Sequence, residues 1–195
     1  MSDRSPMEIS YRGITIETCP GVYAPAEDTF LVVDHASVGS TLLEIGAGSG
    51  MISIYYTKMG KEVTSCDINE AAVACVRSNA ERNGVHLNAF FSNLFSEVIG
   101  KYDTIIFNPP YLPTADEIEG AIQWNGGKDG FAVVRPFLDS ADRFLNPGGN
   151  IFIILSSLTN YHVLEREYVK YFFQEVATQS FFFEMILLFS ITKRS

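Results

Sequence analysis

The chain is short of basic residues, histidine and cysteine, and each shortage removes a class of function. Fourteen Lys and Arg stand against 23 Asp and Glu, a formal net charge of −9. Binding to a phosphate backbone relies on clustered cations, so nucleic acid is not expected as a partner. His35, His86 and His162 are isolated, and Cys19, Cys66 and Cys75 form no CxxC pair. No metal-ligand spacing results, and no metal is expected. The cysteines read as reduced, mostly buried thiols of a cytosolic protein. Long apolar runs are missing too. Residues 1–6 are polar and lack the apolar stretch of a secretory signal. The most apolar segment, 181–191, is short and interrupted by Glu184, so Phe181, Phe182 and Phe183 read as strand buried on both faces and not as a membrane span. A cytoplasmic protein without a membrane partner is the expectation. Repeats, low-complexity tracts and linkers are absent, which leaves a single domain over 1–195, with an N-terminal extension and hairpin over 1–24 and a core over 25–195. Hydrophobic residues make up 47% of the 195 and charged residues 19%, enough for a substantial core.

Residues 9–18 alternate around Arg12-Gly13 and predict a small hairpin. Pro25 and the acidic pair Glu27-Asp28 open a helix over 28–36. Strands are then expected at 41–45, 62–66, 86–91, 102–107 and 150–155. Between them helices are expected at 51–59, at 69–82 with Asn69 as cap and Gly84 beyond its end, and at 129–145 with a break or kink at Pro136. Pro147-Gly148-Gly149 predicts a turn. A helix over 161–171 precedes closing strands at 173–178 and 181–192. This alternation predicts an α/β fold with a mostly parallel sheet covered on both faces. The last two strands lack room for a crossover helix and should pair as an antiparallel hairpin. The least regular stretch, 113–127, is a long loop of the kind that often carries function.

Glu44-Ile45-Gly46-Ala47-Gly48-Ser49-Gly50 ends the first sheet strand and opens a helix. In open α/β sheets ligands sit at the carboxyl ends of strands, where glycines let backbone approach them closely. The spacing is G-x-G-x-G, with Met51 where a dinucleotide fingerprint has its third glycine, which weakens a nicotinamide reading without removing it. The next strand ends at Asp67, whose carboxylate suits the two hydroxyls of a ribose.

Asn108-Pro109-Pro110-Tyr111 follows the strand at 102–107. Two successive prolines remove two N–H donors and fix two φ angles, which leaves the Pro109 carbonyl free on a stiff loop. Asn108 adds a second acceptor, and two adjacent acceptors match an NH2 group. Tyr111 offers a flat face for a planar group. An amide nitrogen is a poor nucleophile, and holding both its N–H bonds aims its lone pair at an electrophilic methyl group about 3–3.5 Å away. A sulfonium donor such as S-adenosylmethionine brings its own leaving group, so no nucleophilic side chain is needed. Trp124 is a candidate for the substrate mouth.

These motifs resemble the HemK/PrmC family of glutamine-N5 methyltransferases. The resemblance is to its short archaeal and eukaryotic branch, which lacks the bacterial N-terminal helical domain. It runs from about Val22 to the end of the chain, through Val22-Tyr23-Ala24-Pro25-Ala26-Glu27-Asp28-Thr29-Phe30, residues 44–50, residues 108–111 and Trp124-Asn125-Gly126-Gly127-Lys128-Asp129-Gly130. It implies a Rossmann-like class I S-adenosylmethionine methyltransferase with a seven-stranded sheet. Thr29, Glu44, Gly46, Gly48, Gly50, Asp67, Asn93, Leu94 and Asn108 would then serve the cofactor, with Asn93 and Leu94 beside the adenine. Asn108, Pro109, Tyr111 and Trp124 would serve the substrate, the first three as the catalytic group. The family usually has Asp where this chain has Asn93. The implied substrate is the glutamine of the Gly-Gly-Gln motif in class I peptide-chain release factors. The implied partner is a small zinc-binding activator, for which the strand His86-Leu87-Asn88-Ala89-Phe90-Phe91 is the expected sheet edge, free of charge and proline. Two rivals stand beside this reading. An adenine-N6 methyltransferase of nucleic acid would present a planar NH2 by base flipping, against which the acidic balance weighs. A catalytically idle S-adenosylmethionine-binding scaffold would have no use for residues 108–111.

Overall fold

The computed structural model describes residues 7–110, 127 and 129–194. The expected N-terminal hairpin is β1 (Glu8–Tyr11) with β2 (Ile14–Glu17). Arg12 and Gly13 both take positive φ, 49° and 79°, in a two-residue turn whose twist suits the strands. Next come α1 (Glu27–His35), β3 (Thr41–Ile45), α2 (Met51–Lys58), β4 (Glu62–Asp67), α3 (Glu70–Arg82), β5 (Asn88–Phe91) and β6 (Tyr102–Phe107). The chain continues with α4 (Val134–Ser140), β7 (Leu145–Ser156), α5 (His162–Glu167), β8 (Tyr171–Ser180) and β9 (Met185–Lys193).

The main sheet has seven strands in the order β5-β4-β3-β6-β7-β9-β8. The first five are parallel, and β9 runs antiparallel to both β7 and β8. The expected fold class is thus borne out, closing hairpin included. Successive residues on a strand face opposite ways. Leu43, Ile45, Ile105, Phe107, Ile151 and Ile153 pack with Phe137 and Leu138 of α4 on one face. Leu42, Ile106, Phe152 and Ile154 pack with α1, α2 and the buried Ile14 and Ile16 on the other. The N-terminal hairpin is therefore a covering layer, and it delivers the chain beyond Glu17 to the carboxyl end of the sheet.

Five expectations need correction. Cys19 and Cys75 form a disulfide across 56 residues of sequence, and only Cys66 is a free, buried thiol. The hairpin lies along α3, with Glu17 N–H donating to Asn79 Oδ1 at 2.9 Å, and this brings Cys19 to Cys75 where no short spacing announces it. Phe181, Phe182 and Phe183 are not buried strand. They form the tip of the β8–β9 hairpin, with Phe181 N–H donating to Glu184 O at 2.7 Å, and Phe182 and Phe183 are 92% and 85% exposed. The helix expected over 129–145 is shorter. α4 begins at Val134, so Pro136 falls in its first turn, where an N–H has no intrahelical acceptor. A 3-10 turn follows at Ala141–Arg143. The helix over 161–171 shrinks to α5, and β7 runs back through Pro147-Gly148-Gly149 by way of an irregularity in register opposite Tyr102 and Thr104.

Candidate active site

Parallel strands end on one side of the sheet, and the loops after β3, β4, β5 and β6 meet there around a cavity of about 580 Å³. That volume lies in the range of small-molecule sites. The segment Gly21–Tyr23 and the first turn of α1 complete its wall. Of the residues singled out in the sequence, Thr29, Glu44, Gly46, Gly48, Asp67, Asn93, Leu94, Asn108 and Pro109 line it. Gly50 does not. It is the N-cap of α2 at φ 91°, and a Cβ there would lie 3.2 Å from Val76 Cα, so it lets α2 and α3 approach behind the site. Tyr111, Trp124 and the long loop up to residue 126 fall outside the described residues.

The glycine loop and Asp67 are one hydrogen-bonded unit. Gly46 N–H donates to Cys66 O at 2.8 Å, and Gly48 N–H donates to Asp67 Oδ2 at 2.9 Å. Asn69 N–H donates to Asp67 Oδ1 at 2.8 Å. A carboxylate offers about four acceptor positions. Two are used by backbone, and the remainder suit a vicinal diol. Burial pushes the Asp67 carboxyl up from its ordinary range, and the backbone donors hold it partly back. Asn69 caps α3 through Ala71 N–H, while its Nδ2 donates to Gly21 O at 2.9 Å, which ties the N-terminal segment across the cavity wall. Tyr23 passes over the glycine loop so closely that a Cβ at Gly48, itself at φ 53°, would lie 3.3 Å from Tyr23 O.

Glu44 lies beneath this unit, 3% exposed, and accepts a hydrogen bond from the Ser53 hydroxyl on α2. Desolvation pushes its carboxyl up to about 8. On the far rim Asn93 is exposed, and Leu94 takes φ 50°, a left-handed conformation that costs a side-chain-bearing residue about 1–3 kcal/mol. Ser92 Oγ donates to Leu94 O at 2.8 Å and holds it there.

Asn108, just past β6, donates through Nδ2 to Asp28 Oδ2 at 2.9 Å. Its Oδ1 is buried and, among the described residues, has no hydrogen-bond partner. Asp28 also accepts from the Tyr23 hydroxyl, at 3.0 and 2.9 Å to its two oxygens, and from Thr29 N–H at 2.6 Å. Asp28 and Tyr23 stand in the run that carries the family resemblance, but nothing in the sequence assigns either a role at the site. Asp28 read as one of two helix-opening charges. The clue was an acidic residue in the first turn of an apolar helix, five residues after a tyrosine.

A glycine loop and an acidic strand end on a parallel sheet, with an unpartnered buried acceptor just past β6, form a site suited to a nucleoside and to a hydrogen-bond donor beside it. The model of the methyltransferase small domain matches residues 13–183. A Methanocaldococcus jannaschii protein assigned to the N5-glutamine methyltransferases is 41% identical over 160 residues, 78% of this chain and 81% of its own. Methyltransferase HEMK2 of Mus musculus is 34% identical over 151 residues, 68% of this chain and 71% of its own. In fold, the chain matches the E. cuniculi Mtq2–Trm112 complex, responsible for methylating the eRF1 translation termination factor, with a TM-score of 0.70 at 21% identity. That match covers 89% of this chain and 99% of the other. The chain belongs to the methyltransferase small domain family and, within it, to the HemK/PrmC glutamine-N5 methyltransferases. It is an S-adenosylmethionine-dependent enzyme. Among the described residues no helix is long and apolar enough to cross a membrane.

Proposed function

We propose that the chain methylates the N5 amide of the glutamine in the Gly-Gly-Gln motif of a class I release factor, a cytoplasmic reaction, within one domain spanning 1–195. The observation that carries this reading is the buried, unpartnered Oδ1 of Asn108 beside the cofactor cavity. An acceptor kept dry and unpaired costs about 1–3 kcal/mol, and a substrate N–H would satisfy it. The M. jannaschii relative is named for N5-glutamine methylation of protein, which supports a glutamine amide as the substrate. S-adenosylmethionine supplies a methyl group on a positively charged sulfur. Asp67 would hold its ribose, the glycine loop would pass beneath it, and Asn93 and Leu94 would flank the adenine. Asn108 Oδ1 and the Pro109 carbonyl accept the two N–H bonds of the glutamine amide and point its lone pair at the methyl carbon. Methylation would build positive charge on that nitrogen, which the two fixed acceptors are placed to stabilise. The proton then leaves nitrogen for solvent. Tyr111 and Trp124 are proposed to stack on the substrate and line its entry.

Asn93→Asp should bind S-adenosylmethionine as tightly as the present chain or more tightly, because a charged acceptor makes the stronger hydrogen bond to the adenine amino group. Calorimetric titration of both proteins checks this, and a large loss of affinity in the Asp variant would remove Asn93 from the adenine.

We also propose that a small zinc-binding activator docks on β5. That strand is at the sheet edge, only four residues long, with Phe91 47% exposed. Ala89 is buried beneath α3, and its carbonyl already accepts from Arg77 Nε at 3.1 Å, so Phe91 is the better position to probe. Labelled-methyl transfer onto a class I release factor, its Gly-Gly-Gln glutamine-to-alanine variant and total RNA tests the function, each with and without the activator. Label should enter the wild-type factor alone, and more of it with activator. The Phe91→Lys enzyme should lose the activator's effect and keep its cofactor affinity. Label on the alanine variant or on RNA overturns the substrate. Equal activity of the lone chain and the mixture overturns the partner.

A further inference from the structure

We infer that Asp28, held by Tyr23, is a positioning residue that sets which end of the Asn108 amide faces the substrate. The inference rests on the reading above, in which Asn108 Oδ1 meets the substrate NH2. A carboxamide has two ends of nearly equal shape, one an acceptor and one a donor, and nothing in Asn108-Pro109-Pro110 selects between them. A carboxylate only accepts. Asp28 Oδ2 stands 2.9 Å from Asn108 Nδ2, and turning the amide over would set two oxygens against each other at that distance. The reversed amide would also present donors to the donors of the substrate.

Asp28 has little freedom to yield. It is 3% exposed, the Tyr23 hydroxyl bridges both its oxygens, and Thr29 N–H grips Oδ1. It sits in the first turn of α1, where unpaired N–H groups and the helix dipole favour a negative charge. With Nδ2 engaged, Oδ1 is the end left buried and unpaired. Tyr23 also borders the cavity, so the same network carries α1, the N-terminal segment and β6 to one point.

The test compares wild type, Asp28→Asn, Asn108→Asp and the double exchange. In Asp28→Asn the amide at 108 is free to turn over, and kcat on the release factor should fall ~10–100-fold, the scale of a misplaced preorganised partner. Its S-adenosylmethionine affinity should stay within about threefold. In the double exchange the amide at 28 donates to the carboxylate at 108, whose second oxygen again faces the cavity. At pH 8 it should recover about tenfold over Asp28→Asn, a coupling that independent sites do not show. A kcat within threefold of wild type for Asp28→Asn, or additive losses in the double exchange, overturns the inference. Should Asp28→Asn fail to fold, Tyr23→Phe carries the test, with a smaller fall in kcat at constant cofactor affinity. The side-chain amide resonance of Asn108, identified by its loss in Asn108→Asp, is read without substrate. Slow exchange in wild type but not in Asp28→Asn supports the positioning role even if no release factor is methylated, in which case the substrate reading alone fails. Fast exchange in wild type overturns the positioning role.

Discussion

Asn108→Ala should lower methyl transfer ~10²–10³-fold, the usual cost of losing one preorganised acceptor in a water-excluded site, without lowering the unfolding temperature. The two halves of this expectation have one cause. In the substrate-free protein Asn108 Oδ1 is buried without a partner, a destabilising arrangement that the alanine variant removes. The alanine also removes the Nδ2 bond to Asp28, but Asp28 keeps its contacts with Tyr23 and Thr29. The losses and gains are of similar size, so thermal unfolding should be unchanged or slightly raised while turnover collapses. This is the pattern of a residue kept for function at the expense of stability. Turnover on the release factor and thermal unfolding, measured on the same preparations, check it. Near-normal turnover in a folded Asn108→Ala enzyme would falsify the role given to Oδ1. A large drop in unfolding temperature would instead make Asn108 a structural linker between β6 and α1.

The parts of this site legible in the sequence are those that depend on one strand at a time. Gly46, Gly48, Asp67, Asn93, Leu94, Asn108 and Pro109 each end or follow a strand, and in a parallel sheet all such positions share one end. Finding the strand ends was therefore enough to collect Gly46, Gly48, Asp67, Asn108 and Pro109 on one cavity, whereas Asn93 and Leu94 came from the family resemblance. Gly50 was grouped with them by spacing, yet its glycine is needed for helix packing against Val76. Contacts between distant segments left no such trace. Asp28 and Asn108 are 80 residues apart, and Cys19 and Cys75 are 56 apart. Cys19 reaches Cys75 because the hairpin lies along α3, and Asp28 reaches Asn108 because α1 packs on the sheet beside β7 and β9. Disulfides are rare where thiols are kept reduced, and that habit of compartments, not any geometry, had argued for free cysteines. The Phe181–Phe183 tip shows a different failure. Hydrophobicity identifies what can be buried but not what is, and an apolar run at a hairpin end can stay outside the core.

Glu44→Gln should change how stability depends on pH, because Glu44 is a carboxyl buried beside another. Its ordinary value of 4.5 is pushed up to about 8 in the folded protein, first by desolvation, with the nearby Asp67 charge adding to the rise. Below pH 4.5 the group is protonated whether the chain is folded or not, and folding meets no penalty from it. Between about 4.5 and 8 the unfolded chain has released the proton and the folded chain still holds it, so stability falls by ~1.4 kcal/mol per pH unit. Above 8 both states are ionised and the full penalty, on the order of a few kcal/mol, persists. Glutamine has no such titration and still accepts the Ser53 hydroxyl. Any packing cost of its NH2 group is the same at every pH and cancels when two pH values are compared. For a chain of this size 1 kcal/mol corresponds to ~2–4 °C. The difference between the two pH values is about 4 kcal/mol, so the unfolding temperature of Glu44→Gln, relative to the present chain, should rise by ~8–16 °C between pH 5 and pH 8.5. Asp67, raised in the same direction, is present in both proteins and contributes alike to each. Parallel stability curves for the two proteins across this range would mean that Glu44 is ionised in the folded state throughout, and that the Ser53 hydroxyl and the neighbouring backbone solvate its charge despite its burial.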